Sequence, residues 1–112
     1  MKTYLLIIVL LLAGTLAFAH PAGAIKAKYE AETKTLSFSF DHQVKDQFNH
    51  YINTVLVKLN GITIISQTAN AQDSLEGGEF SYRIPLLKKG DEIEIITECN
   101  KSGKKSSKMI LN

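Results

Sequence analysis

The 112-residue sequence contains one cysteine, Cys99, and no tryptophan. A single thiol cannot form a bridge within the chain, so a disulfide-stapled scaffold is excluded. The cysteine pair packed on a buried tryptophan that characterises antibody domains is excluded for the same reason. The fold must therefore be stabilised by its apolar core.

An excess of charge of one sign is also missing, and so are the usual motifs of catalysis. The 13 Lys and Arg residues exceed the 11 Asp and Glu residues by only two, a net charge of +2. No strong field attracts a polyanion, so nucleic acid is not an expected partner. The sequence has no glycine-rich phosphate loop, no G-x-S-x-G elbow and no H-E-x-x-H motif. These absences argue against the common nucleotide-binding, serine-hydrolase and zinc-protease chemistries.

One long apolar run is present, from Tyr4 to Phe18. Lys2 precedes it, and Ala17-Phe18-Ala19 offers small residues at the two positions that signal peptidase reads. The run is shorter than the roughly 20 residues that a membrane-spanning helix needs. We therefore predict a signal peptide over residues 1–19 and one exported domain over 20–112. This domain would be periplasmic or secreted, with no membrane attachment after cleavage.

Apolar and polar residues alternate with a period of two along almost all of this domain, which is typical of half-buried strands. Asn60-Gly61 favours positive φ at both central positions of a two-residue turn and predicts a hairpin. Only Val44 to Tyr51 shows a trace of helical spacing. About seven short strands predict an all-β fold, an immunoglobulin-like antiparallel β-sandwich. The predicted strands are Ile25 to Glu30, Thr35 to Phe40, a strand through Val55 to Leu59, Ile62 to Thr68, Phe80 to Ile84, Glu92 to Ile95 and Lys104 to Leu111.

Four residues can bind a transition metal: His20, His42, His50 and Cys99, which are all the histidines and the only thiol. His42 and His50 flank the loop between two predicted strands, and Cys99 closes another strand. Loops at one end of a sandwich can meet there. Imidazoles and one thiolate suit a borderline or soft ion such as iron, copper or zinc. The residues can equally be unconnected surface histidines and a buried, inert thiol, because the spacing does not decide whether they converge.

Several segments resemble the metal-site segments of the desulfoferrodoxin and superoxide reductase domain. They are His42, Asn49-His50-Tyr51-Ile52, the strand that ends at Asn60-Gly61, Lys89-Gly90-Asp91 and Cys99-Asn100-Lys101-Ser102-Gly103. The resemblance covers most of residues 20–112. It implies an immunoglobulin-like sandwich that binds one iron ion with histidines and a cysteine.

Residue by residue, the resemblance implies that His42 and His50 are equatorial iron ligands and that Cys99 is the axial thiolate. His20 could match the first histidine of the family. Ser102 stands where the family has its fourth histidine, and Ala19 stands where it has a charged residue. The resemblance therefore implies a degenerate iron site with a redox role, served by an electron-donor protein. Efficient superoxide reduction is not implied, because one imidazole is missing.

Two other interpretations remain open. The region from His42 to Gly103 also resembles the small sandwich subunit of periplasmic thiosulfate-oxidation complexes. That resemblance implies a binding subunit without metal whose partner is a carrier protein. Alternatively, cleavage after Ala19 would give His20 a free α-amine that chelates copper together with its imidazole.

Overall fold

The structure is a computed structural model that describes residues 20–112. The predicted leader, residues 1–19, lies outside the described residues. The described part contains strands and no helix, so it has no helix that is long and apolar enough to span a bilayer. The seven strands are β1 (Ile25–Glu30), β2 (Thr35–Asp41), β3 (Ile52–Leu59), β4 (Ile62–Thr68), β5 (Gly77–Arg83), β6 (Glu92–Cys99) and β7 (Lys104–Ile110).

The strands form two antiparallel sheets. One has the order β1-β2-β5 and the other has the order β4-β3-β6-β7. The predicted all-β sandwich is therefore confirmed. Three exposed lysines, Lys104, Lys105 and Lys108, lie on β7, which is an edge strand of the four-stranded sheet. Exposed lysines on an edge strand discourage pairing with another chain.

The core lies between the two sheets because inward and outward side chains alternate along β2, β6 and most of β3. Leu36, Phe38 and Phe40 point inward from β2, and β3 and β6 contribute their own buried aliphatic residues. Burying one such side chain contributes about 1.5–3 kcal/mol relative to leaving it exposed. The buried members from β3 and β6 are Ile52, Val55, Val57, Ile93 and Ile95.

The hairpin predicted at Asn60-Gly61 joins β3 to β4, with φ angles of 49° and 85° at these two residues. This is the conformation that the Asn-Gly dipeptide favours in a two-residue turn. The hairpin defines one end of the sandwich. The opposite end holds the β2–β3 loop, because β2 ends and β3 begins there.

Candidate metal centre

Three histidines converge at the end of the sandwich opposite the Asn60-Gly61 hairpin. Each of His20, His42 and His50 offers one ring nitrogen, and these three atoms lie within 4.8 Å of one another. The ring centroids are 4.9 Å apart for His20 and His42, 5.3 Å for His20 and His50, and 4.8 Å for His42 and His50. The sequence left the convergence of these residues open, and the structure brings all three together.

His42 and His50 are positioned by the two ends of the β2–β3 loop. His42 follows the last residue of β2 and is 1% exposed, and its backbone N–H donates to the Glu76 carbonyl oxygen at 2.8 Å. At the other end of the loop, the Asp46 carbonyl oxygen accepts bonds from the backbone N–H groups of Asn49 (3.2 Å) and His50 (2.9 Å). The helical spacing near Val44 to Tyr51 thus corresponds to a single turn that delivers His50 to the cluster.

His20 reaches the cluster on a segment that runs beside the end of β2. Gly23 N–H donates to the Asp41 carbonyl oxygen at 2.6 Å, and Asp41 N–H donates to the Ala24 carbonyl oxygen at 3.0 Å. On the other side, Pro21 packs directly on Gly103, where an added Cβ would lie only 2.8–3.0 Å from Pro21 atoms. This close approach holds the exposed His20 next to His42 and His50, whose imidazoles are less exposed than its own.

Cys99 lies beside His50 and is joined to the histidine cluster through it. Cys99 is the last residue of β6 and is 4% exposed, so the thiol is buried. Its Sγ atom lies 3.1 Å from His50 Nε2, and Lys101 N–H donates to Sγ at 3.4 Å. The buried thiol is therefore in contact with a candidate metal ligand and does not sit in a purely apolar environment.

Asn100 fixes the relation between the end of β6 and the start of β3. Its Oδ1 accepts from Tyr51 N–H at 2.9 Å, its Nδ2 donates to the Asn49 carbonyl oxygen at 2.9 Å, and its backbone N–H donates to the Tyr51 carbonyl oxygen at 3.0 Å. These three bonds enclose His50 between Asn49 and Tyr51. The Asn100 clamp therefore sets the distance between His50 and Cys99. The resemblance included Asn100 in a motif but gave it no role.

Gln72 also contacts the cluster, and sequence reasoning missed it. It lies in the β4–β5 loop, is 5% exposed, and its Oε1 is 2.8 Å from His42 Nδ1. Its Nε2 donates to the carbonyl oxygens of His42 (2.8 Å) and Ser74 (2.9 Å). The sequence of residues 69–78 predicts a polar connection between strands, and it has no apolar periodicity from which the burial of Gln72 could be predicted.

Ser102, at the position of the family's fourth histidine, is exposed in the turn between β6 and β7. The donors gathered here are three imidazoles and the adjacent thiol.

Electrostatics favour the neutral form of His50. Burial lowers the pKa of His50, and electrostatic interactions with His42, His20 and Lys101 lower it further. Metal ions bind the neutral imidazole, so this environment favours the binding-competent form. Imidazole and thiolate donors suit iron, copper and zinc rather than the hard ions calcium and magnesium. The residues present therefore fit a transition-metal ion.

No protein-family model matches the sequence, and no curated protein sequence matches it. Solved structures do match. The chain is similar to a superoxide reductase (1Fe-SOR) from Giardia intestinalis, with a TM-score of 0.59 and 19% sequence identity over 82% of this chain and 97% of that one. It is also similar to a superoxide reductase (neelaredoxin) from Ignicoccus hospitalis, with a TM-score of 0.55 and 13% identity over 81% of this chain and 80% of that one. At these identities the likeness shows a shared fold.

Proposed function

We propose that residues 20–112 form an exported iron-binding domain of the superoxide reductase type with a reduced ligand set. One observation carries this proposal: His20, His42 and His50 converge next to Cys99 within a fold shared with superoxide reductases. The three ring nitrogens and the thiol are donors of the kind that bind a transition-metal ion.

In this proposal the three histidines supply nitrogen donors and Cys99 supplies a thiolate. Bound iron would supply a one-electron redox centre at this end of the sandwich. Asn100 would keep the thiolate beside His50, and the core beneath would shield the Cys99 side from solvent. The exposed Ser102 leaves the place of the fourth imidazole to solvent or to a small substrate.

Superoxide is the substrate that we propose for a redox role. Its reduction consumes one electron from a donor protein and two protons, and yields hydrogen peroxide. The loss of one imidazole changes the affinity for iron and its potential. We therefore expect slower turnover than in a site with four histidines.

The test is elemental analysis of the chain beginning at His20, purified without a tag under low oxygen. We expect one equivalent of iron in the unchanged protein and a loss of iron in both Cys99→Ala and His50→Ala. Ser66→Ala is the matched control, because Ser66 is exposed on β4 and is not a proposed ligand, so it should not change the iron content. Equal iron in all four proteins would contradict the site.

Copper binding at His20 is the second candidate, favoured by the contact of this exposed imidazole with both other histidines. Copper that survives Cys99→Ala but not a blocked N-terminus would support it. A folded protein that binds neither metal would contradict both candidates. That result would favour the third interpretation, in which the domain is a metal-free binding subunit whose partner is a carrier protein.

A further inference from the structure

The hydrogen bonds of Gln72 fix the orientation of its amide group. One amide atom lies 2.8 Å from the His42 carbonyl oxygen and 2.9 Å from the Ser74 carbonyl oxygen. Carbonyl oxygens only accept hydrogen bonds, so this atom must be the donor, Nε2. A flipped amide would place Oε1 against two other acceptors. The Gln72 oxygen must therefore face the His42 ring.

This orientation determines which ring nitrogen of His42 carries the hydrogen. Gln72 Oε1 lies 2.8 Å from Nδ1 and can only accept, so Nδ1 must donate. In the neutral imidazole the lone pair is then on Nε2. That atom faces the segment that carries His20 and lies 3.3 Å from the His20 carbonyl oxygen, which is also an acceptor. A neutral ring can donate to only one of the two oxygens, and the buried 2.8 Å contact with Gln72 is the stronger hydrogen bond, so the hydrogen is on Nδ1.

The hydrogen bond between His42 and Gln72 is shielded from water, and a neighbouring loop holds Gln72 in place. His42 and Gln72 are 1% and 5% exposed, so water competes little for their hydrogen bond. Gln72 is held in turn by the β2–β3 loop, because its backbone N–H donates to the Gln47 carbonyl oxygen at 3.2 Å. Gln47 Nε2 reaches back to the Gln72 carbonyl oxygen at 3.4 Å and the Asp73 carbonyl oxygen at 3.1 Å. The β4–β5 loop is thus fastened to the loop that carries two of the histidines.

We infer that Gln72 is a positioning residue: it holds His42 in the Nδ1–H tautomer, so that Nε2 is the atom offered to a metal ion. The inference rests on the proposed function for its role, but the tautomer is a property of the protein without metal. Partners of this kind orient ligating histidines, and their removal typically costs 10–100-fold in metal affinity.

The test compares Gln72→Met with Gln47→Met. Gln72→Met keeps the approximate volume and removes the acceptor for Nδ1–H. Gln47→Met is the matched control, since it removes hydrogen bonds between the same two loops, and the Gln47 side chain has no hydrogen bond to a histidine among the described residues. The first measurement is the long-range ¹H–¹⁵N spectrum of the histidine rings in metal-free protein at about pH 8, above the ordinary histidine pKa. The second is the affinity for iron(II), measured anaerobically by competition with a chelator.

We expect the Nδ1–H tautomer of His42 in the unchanged protein and in Gln47→Met, and a mixture of tautomers in Gln72→Met. Iron(II) should bind Gln72→Met about 10–100-fold more weakly, and Gln47→Met within about twofold of the unchanged protein. An Nε2–H tautomer in the unchanged protein would overturn the inference, and so would equal losses of affinity in the two variants. If the unchanged protein binds no metal, the proposed function fails, and the ring spectrum still decides whether Gln72 sets the tautomer.

Discussion

At the scale of single residues, Tyr82 stands out because its hydroxyl is buried and has no hydrogen-bond partner among the described residues. An unsatisfied buried hydroxyl costs about 1–3 kcal/mol. Tyr82→Phe should therefore raise the free energy of unfolding by about 1 kcal/mol, measured by urea denaturation. Tyr29→Phe is the opposite control, since the Tyr29 hydroxyl donates to the Ile84 carbonyl oxygen at 3.0 Å. Removing that bond should cost about 1 kcal/mol.

The buried hydroxyl of Tyr82 should also make the free energy of unfolding fall at alkaline pH. Burial raises the pKa of Tyr82 to about 12, from an ordinary value of 10.0. The unfolded chain therefore releases this proton before the folded protein does. Ionisation of Tyr82 therefore leaves the free energy of unfolding unchanged below pH 10 and lowers it as the pH rises from 10 toward 12. Tyr82→Phe should lack this part of the alkaline decline, and an unchanged alkaline profile would contradict the argument.

A substitution at Gly103 should affect the metal site as well as the stability of the domain. Its φ is +98°, and a Cβ there would press on Pro21 next to His20. Gly103→Ala should therefore lower both stability and iron affinity. Gly90→Ala is the matched control, because its φ is a similar +90° but nothing lies within 4 Å of the added Cβ. It should lower stability alone. Equal iron affinity in the two variants would show that Pro21 does not hold His20 in place.

At the scale of elements, Asp91 ties the β3–β4 hairpin to the start of β6. Lys88 N–H donates to its Oδ2 at 2.9 Å and Asn60 Nδ2 donates to its Oδ1 at 3.1 Å. The Lys88 bond, and then the Asn60 bond, lower the pKa of Asp91 below its ordinary 3.8. This contribution to stability is present above pH 3.8 and is lost as the pH falls further. Thermal unfolding between pH 2 and 6 should thus show a weaker acid decline in Asp91→Asn, and an intermediate decline in Asn60→Ala.

The strands also show what can be predicted from local sequence. The predicted bounds of β1 and β4 match the structure, because strict alternation and the Asn-Gly turn define them. The start of β3 is harder to predict from the sequence, since a register shift between Ile52 and Thr54 breaks the alternation. Ile52 and Val55 are both buried despite their odd spacing. Because a bulge adds one residue to a strand, the end of that strand cannot be predicted from a period of two.

At the scale of the whole molecule, the candidate site depends on contacts that no local pattern encodes. His20, His42, His50 and Cys99 were identified as metal-capable by residue type and by resemblance. Their convergence follows from the connectivity of the two sheets and from loop hydrogen bonds. Gln72 could not be predicted, because its burial results from the packing of one loop on another.

Since the site joins the N-terminal segment, the β2–β3 loop and the end of β6, metal binding should stabilise the entire domain. A ligand at 100 times its dissociation constant adds about 2.7 kcal/mol to the free energy of unfolding. For a domain of this size we expect the Tm to rise on the order of 10 °C with iron(II) under low oxygen. His50→Ala should show no rise, and an equal rise in this variant would place the ion elsewhere.

The two ends of the described chain lie at opposite ends of the sandwich. His20 belongs to the histidine cluster, whereas the backbone of Leu111 is bonded to Gly90 and Asp91, where β6 begins. The eight residues of β6 separate the two ends by roughly 25 Å. A purification tag joined ahead of His20 would thus start at the cluster, where a polyhistidine tag would compete for the ion. The same tag placed after Asn112 would lie away from the cluster, but its imidazoles would still bind metal, so it would have to be removed before the metal content is measured.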